Sequence, residues 1–317
     1  MMNRRNFLRK STTSLLSIGL INGLNLDLKA QTNEVKAIAT GENQMRVITY
    51  NIFNGAIGFK GINGKALPEG EDSDLVREAR RLGQVSKRIA FELELYHPDI
   101  INFSESAEEA VVKEIAEMLE MNYVHFPSGI KRFPGSILTK YEIVSSQNRP
   151  FVNKKKNNPQ ELFTRHWGKA ILRLPNGDLM AVHSAHLWPF RKEENDTTIR
   201  MREIEALLAS IRADLKNGVK SVLLQGDLNH KPDTAEYERL NDGLLLDTFK
   251  AVGEGEGATY TAINPTNRID YIYAAGDIAQ HAKYAKVLYE GAFRMNNEDP
   301  RAFSLSDHLP VLVDFAW

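Results

Sequence analysis

The sequence predicts one layered α/β domain, on three observations. Short β-branched and apolar runs, including 45–52, 99–105 and 221–227, have the length and pattern of strands buried on both faces. The helical spacings between them come singly and long, as crossovers. No repeat, low-complexity tract or linker divides residues 45–317; one domain accounts for that length. With 42% hydrophobic and 26% charged residues the composition excludes disordered and collagen-like classes. There is no cysteine. That excludes disulfides, thiolate nucleophiles and thiolate zinc sites, so any metal must sit on oxygen or histidine ligands.

The first thirty residues read as a targeting segment. Asn3 to Lys10 is basic, Ser14 to Leu26 is mildly apolar, and Leu28-Lys29-Ala30 offers a small residue before Gln31. A signal peptide over 1–30 is expected, and its core Arg4-Arg5-Asn6-Phe7-Leu8 resembles a twin-arginine export signal. Export by the twin-arginine or the general machinery would place the protein in the periplasm or outside the cell. The segment is too short and too polar for a spanning anchor, and no later one is suited to cross a membrane. Residues 31–44 read as a flexible leader. Removing residues 1–30 leaves 35 basic and 40 acidic residues, a net charge of −5. That balance argues against a general nuclease, which draws on a basic surface, although Lys131-Arg132, Lys154-Lys155-Lys156 and Arg191-Lys192 form local basic patches.

Each element has a local reason. Residues 45–52 end as a strand at Asn51, before the turn-forming Asn54-Gly55, and a glycine-rich loop runs to about Gly70. Leu75, Ala79, Leu82, Val85, Ile89 and Leu93 predict one helix, with Asp72 or Ser73 as cap and His97-Pro98 as stop. A buried strand over 99–105 ends in an acid. A helix over 107–121 and a short strand over 123–127 follow. Residues 135–139 and 143–145 predict a hairpin around Lys140-Tyr141, and 154–160 a solvated charged loop. Residues 163–174 and 178–187 predict a strand pair across Pro175-Asn176-Gly177-Asp178. Met201, Ile204, Leu208, Ile211 and Leu215 mark a long helix, and 234–240 a short one.

The central stretch is Ser221 to His230. Val222, Leu223 and Leu224 form an apolar run that stops at Gly226, where the backbone is free to turn. Asp227 and Asn229 follow with one residue between them. At a strand end that spacing aims a carboxylate and a carboxamide into one pocket, suited to orienting a water and touching a phosphate; by itself it is also the pattern of an Asx turn. Recurrence decides between the two. Six strand ends or adjoining turns carry a chemically able residue: Asn51, Glu105, His186, Asp227 with Asn229, Asp270, and Asp307 with His308. Sites in layered α/β proteins gather at strand ends. Carboxylates without cysteine suit a hard cation such as Mg²⁺, which stabilises charge on a phosphoryl oxygen, and histidine serves as acid or base near neutrality. This is a kit for hydrolysing a phosphate ester.

These residues carry a family resemblance. Thr49-Tyr50-Asn51-Ile52, Pro98-Asp99-Ile100-Ile101 with Glu105, Gly135-Ser136-Ile137-Leu138, His186-Leu187, Gly226-Asp227-Leu228-Asn229, Arg268-Ile269-Asp270-Tyr271 and Ser306-Asp307-His308-Leu309-Pro310-Val311 resemble, in order, the endonuclease/exonuclease/phosphatase superfamily. The resemblance implies an α/β four-layer sandwich, two packed sheets with helices outside and the site at one edge. It implies Glu105 as principal Mg²⁺ ligand (Mn²⁺ as substitute), with Asn51 beside the metal and Asp307 among the metal-side carboxylates. It implies Asp227 holding the attacking water, Asn229 on the phosphate, His308 on the scissile phosphate and oriented by Asp270, and His186 at the transition state or leaving group. Two positions depart from the pattern: Phe53 stands where several nuclease relatives have an acid, and Ser104 where a Gln usually precedes the metal-binding Glu.

Three readings follow: a metal-dependent phosphoesterase on a small-molecule or lipid phosphoester, a secreted nuclease, or a binding module on the same fold, for which Phe53 and Ser104 are the only support. Loop 53–72 and segment 187–195 are expected to flank the pocket, with Trp188 and Phe190 stacking on substrate or packing on the rim. Among the other histidines, His125 and His281 read as structural, and His166 and His230 as structural or pocket-lining. His183 and His186, three apart, face opposite sides of a strand.

Overall fold

The computed structural model describes residues 43–59, 61–62, 65–66, 74–127, 133–148, 163, 165–189, 196–294, 299 and 302–317. The expected signal peptide, most of the leader, the caps Asp72 and Ser73, the 154–160 loop and Phe190 lie outside these residues. In chain order the strands are β1 (Gln44–Asn51), β2 (Gly61–Ile62), β3 (Lys65–Ala66), β4 (Ile100–Ser104), β5 (Asn122–Phe126), β6 (Gly135–Thr139) and β7 (Glu142–Asn148). Then come β8 (His166–Arg173), β9 (Leu179–His186), β10 (Ser221–Asp227), β11 (Leu246–Asp247), β12 (Asp270–Gly276), β13 (Ala282–Val287) and β14 (Val311–Ala316).

They form two six-stranded mixed sheets, β13-β14-β1-β4-β6-β5 and β11-β12-β10-β9-β8-β7, with β2 and β3 as a separate ribbon. Helices Gln84–Glu94 and Glu109–Met118 pack on the first sheet through Val85, Ile89, Leu93, Val112 and Ile115. Helix Asp196–Lys216 packs on the second through Ile204, Leu207, Leu208 and Ile211. The four-layer sandwich is the observed architecture. Strand periodicity explains how both faces of β10 are used. Val222 and Leu224 join the helix-side cluster, while Leu223 joins the core between the sheets.

Two expectations are corrected. The helix expected over Leu75 to Leu93 is two, Asp74–Arg81 and Gln84–Glu94. Gly83 between them has φ 63° and donates its N–H to Arg80 O, a turn that ends the first helix; Leu82 is exposed instead of buried. The hairpin around Lys140-Tyr141 does not form, because both edges of β6 are taken by β4 and β5. The chain therefore crosses to the other sheet, where β7 pairs with β8. The β8–β9 pair forms as expected, with His166 opposite His186.

Candidate active site

The topology brings the polar strand ends together. β1 runs parallel to β4, and β9 to β10, so Asn51, Glu105, His186 and Asp227 all emerge at C-terminal ends. β12 is antiparallel to β10 with Asp270 opposite Asp227, so Asp270 opens its strand where β10 closes. β14 returns beside β1, which sets the preceding Asp307-His308 next to Asn51. Ser306 fixes that approach: its Oγ donates to Asn51 O (2.6 Å) and accepts from His308 N (3.1 Å).

Asp227 is the hub. Its Oδ2 accepts from Asn51 Nδ2 at 3.0 Å and lies 3.2 Å from His186 Nε2 and 3.8 Å from His308 Nε2. Its Oδ1 accepts from Asn229 N at 3.1 Å, so the Asp-x-Asn spacing forms an Asx turn as well as lining the site. The Asn229 side chain donates to Leu187 O (3.1 Å). Asn51 Nδ2 also reaches Glu105 Oε1 of its own sheet at 3.4 Å, so this one amide links the first sheet's carboxylate to Asp227 of the second. Ser104 supports the hub from below, its Oγ accepting from Asp227 N at 3.2 Å. Gly226, at φ 140°, passes so close to β9 that a Cβ would stand 1.9 Å from Ala185 O. Three non-glycine residues here, Phe53, Glu105 and Asn229, hold φ between 48° and 49°. Backbone held in this sparsely populated region clusters at functional sites. Phe53 turns its ring against Phe59 (5.7 Å).

Asp270 Oδ2 lies 2.8 Å from His308 Nδ1 and accepts from Thr259 Oγ1 at 2.5 Å. Burial alone would depress the imidazole, but Asp270, with Asp307 and Asp227 behind it, lifts His308 to about 10. His308 is thus cationic at neutral pH, with its Nε2 side facing Asp227. Tyr260 stacks at a tilt on the His308 ring, 5.0 Å between centroids. His186 behaves in the opposite way. Burial and then the adjacent Arg165 push it well below its usual range, so it is neutral.

Two groups of side chains each offer ligand atoms within 4.8 Å of one another: Glu105, His186 and Asp227, and Asp227, Asp270 and His308. Burial drives Asp307 up to about 6, with Glu105 and Asp227 adding to the rise and His308 opposing it. Such crowding of carboxylates is an excess of negative charge that a hard cation relieves, and oxygen donors fit one. Glu105 belongs to the first group, and Asn51 Nδ2 reaches its carboxylate. Asp307 lies in neither group, whereas His186 and Asp227, expected only as catalytic residues, join Glu105.

The sequence reading missed Arg165, Phe133, Thr259 and Tyr260. Arg165 Nη1 lies 3.4 Å from Glu105 Oε1 and also contacts His186 Nε2, and its guanidinium sits over the Phe133 ring at 4.1 Å. The signal was the β8–β9 register. A hairpin across residues 175–178 that sets residue 166 opposite 186 also sets Arg165 at the mouth of the site. His183 and His186 face opposite sides as expected: His183 Nε2 meets Asp214 Oδ2 (2.9 Å) on the outer helix, away from the site. His166 is buried behind His186 with Nε2 on Ser184 Oγ (2.9 Å). His230 stacks on Tyr271 at 4.4 Å. Trp188, half-buried, is held by its N–H on Glu203 Oε2 (2.8 Å).

No curated protein is similar to the chain in sequence. Among solved structures, a Bacteroides thetaiotaomicron mannosyl-6-phosphatase is similar in fold, with TM-score 0.64 and 18% identity over 86% of this chain and 100% of that one. A truncated Caenorhabditis elegans TDP2 gives TM-score 0.60 and 17% identity, over 86% of this chain and 98% of that one. No helix among the described residues is long and apolar enough to cross a membrane. Residues 48–308, from β1 to the Asp270-paired histidine, match the Endonuclease/Exonuclease/phosphatase family, and the chain belongs to that family of metal-dependent phosphoric ester hydrolases.

Proposed function

We propose that the chain is an exported Mg²⁺-dependent phosphoesterase that cleaves a small or lipid-linked phosphate mono- or diester. The observation that carries this reading is the meeting of Asn51, His186 and His308 on one oxygen of Asp227, beside Glu105. Asp227 holds and deprotonates the attacking water from a fixed position, since Asn229 N and Asn51 Nδ2 secure both its oxygens. His308, kept cationic by Asp270, donates to the phosphoryl oxygens as charge develops. His186, neutral, stands ready to relay a proton at the leaving-group side, and Asn229 swings from Leu187 O to the phosphate. Glu105, with Asn51 beside it and Asp307 among the neighbouring carboxylates, would hold the Mg²⁺ (or Mn²⁺), which would neutralise charge on the phosphoryl and leaving oxygens. The basic, then apolar, N-terminal sequence with its twin arginines supports export to the periplasm or beyond.

The test is hydrolysis by the chain without residues 1–30 of bis-p-nitrophenyl phosphate, p-nitrophenyl phosphate, plasmid DNA, sphingomyelin and an inositol phosphate, with Mg²⁺ and with excess chelator. Metal-dependent cleavage that Asp227→Ala removes supports the reading, and preference for DNA would turn it to a nuclease. Mg²⁺ binding without cleavage of any substrate would move it to a binding module.

A further inference from the structure

We propose that Arg165 is the built-in counter-ion of the metal site: its guanidinium neutralises Glu105 when no metal is bound and transfers to the substrate phosphate when a metal takes that carboxylate. The inference rests on the reading of Glu105 as a metal ligand and goes beyond it. Arg165 Nη1 is 3.4 Å from Glu105 Oε1, and the same nitrogen contacts His186 Nε2. Glu105 and His186 both belong to the Glu105–His186–Asp227 cluster, so the guanidinium stands against the carboxylate that a cation needs. The Arg165 and Glu105 side chains are only 13% and 11% exposed, so water screens their attraction weakly. A divalent ion and a guanidinium competing for one carboxylate repel each other, and the mobile one must leave.

The structure provides for that departure. The Phe133 ring lies under the guanidinium at 4.1 Å and offers a face on which the cation can slide without losing its apolar contact. Arg165 directly precedes β8, whose first residue, His166, is paired with His186, so the guanidinium extends from the end of a paired strand. A planar guanidinium fork is matched to phosphate oxygens. The move also resolves a conflict at His186. Its Nε2 cannot accept from Arg165 and donate to Asp227 Oδ2, 3.2 Å away, at the same time; once Arg165 leaves, Nε2–H is free to donate. Metal and phosphate therefore favour each other's binding through Arg165, and the coupling is reciprocal.

The test is calorimetric titration of Mg²⁺ into the full chain, with and without inorganic phosphate, for wild type, Arg165→Gln, Arg165→Met and Arg165→Lys. Removing the charge should tighten Mg²⁺ roughly three- to tenfold without phosphate. It should also weaken inorganic phosphate on the Mg²⁺-loaded protein by about fivefold or more. Arg165→Lys keeps the charge and should keep Mg²⁺ affinity near wild type, which a mere packing role would not predict. The methionine variant preserves contact with Phe133 should the glutamine variant fold poorly. Folded neutral variants that bind Mg²⁺ no tighter than wild type would overturn this inference alone. A wild-type chain that binds no Mg²⁺ would overturn it together with the metal reading on which it rests.

Discussion

Asp270 and His308 form a buried pair, with Oδ2 2.8 Å from Nδ1, and no other partner of His308 Nδ1 is as close among the described residues. The carboxylate overrides the burial that would discharge the imidazole and lifts it to about 10. The sign follows: His308 is charged below that pH and loses its charge as pH rises through it. Asp270→Asn removes the opposing charge, so burial prevails and His308 falls to or below the usual value of about 6.5. Imidazole NMR titration of chelator-treated protein should show this drop, and kcat at pH 8 should fall by about 10²- to 10⁴-fold. An unchanged titration in Asp270→Asn would refute the pairing.

Asp227 is expected to be the least replaceable side chain. Asp227→Ala leaves Asn51 Nδ2, His186 and Asn229 N without their shared acceptor and should cost about 10³-fold or more in kcat/KM. His308→Ala should lose a comparable factor. Circular dichroism should show both variants folded, since Leu223 and Leu224 hold β10 in the two cores independently of the carboxylate. A folded Asp227→Ala enzyme with near-normal rates would remove it from the chemistry.

Gly226→Ala should fail for steric reasons alone. At φ 140° a Cβ would meet Ala185 O at 1.9 Å and Ser104 Oγ at 3.2 Å, and backbone atoms of two paired strands cannot move apart locally. A loss of about 3 kcal/mol or more is expected in denaturant unfolding. Because Ser104 Oγ is also the acceptor for Asp227 N, whatever protein remains folded should be slow as well.

The layered fold was legible because the strands that carry the site are buried on both faces and end in polar residues, as in Val222-Leu223-Leu224 before Gly226-Asp227. The motifs that close those strands made Asn51, Glu105, His186, Asp227, Asn229, Asp270, Asp307 and His308 visible one by one, though not their mutual distances. What stayed hidden depends on pairing, which local pattern does not encode. Residues 135–145 look like a hairpin until both edges of β6 are found occupied by β4 and β5. Arg165 has no motif around it, and only the β8–β9 register brings it to Glu105. Leu82 kept the helical spacing while Gly83 quietly ended the helix.

His183 gives the control that separates stability from chemistry. On the outer face of β9 it bonds Asp214 Oδ2, while Lys169 Nζ bonds Asp214 Oδ1 at 2.5 Å and Trp167 Nε1 donates to His183 Nδ1 at 3.1 Å. Burial works to raise the Asp214 carboxyl, but these bonds outweigh it and hold it below its ordinary value. A depressed folded value means that this stabilisation is present above about pH 4 and lost as pH falls further. Asp214→Asn should therefore lose about 2–3 kcal/mol at neutral pH, less in acid. Its kcat/KM should stay within about threefold of wild type, because His186 looks inward to Asp227 while His183 looks outward to the helix. Melting curves across pH 3–7, read beside initial rates, decide it: an Asp214→Asn enzyme stable but slow would mean that the outer network reaches through β9 to the site.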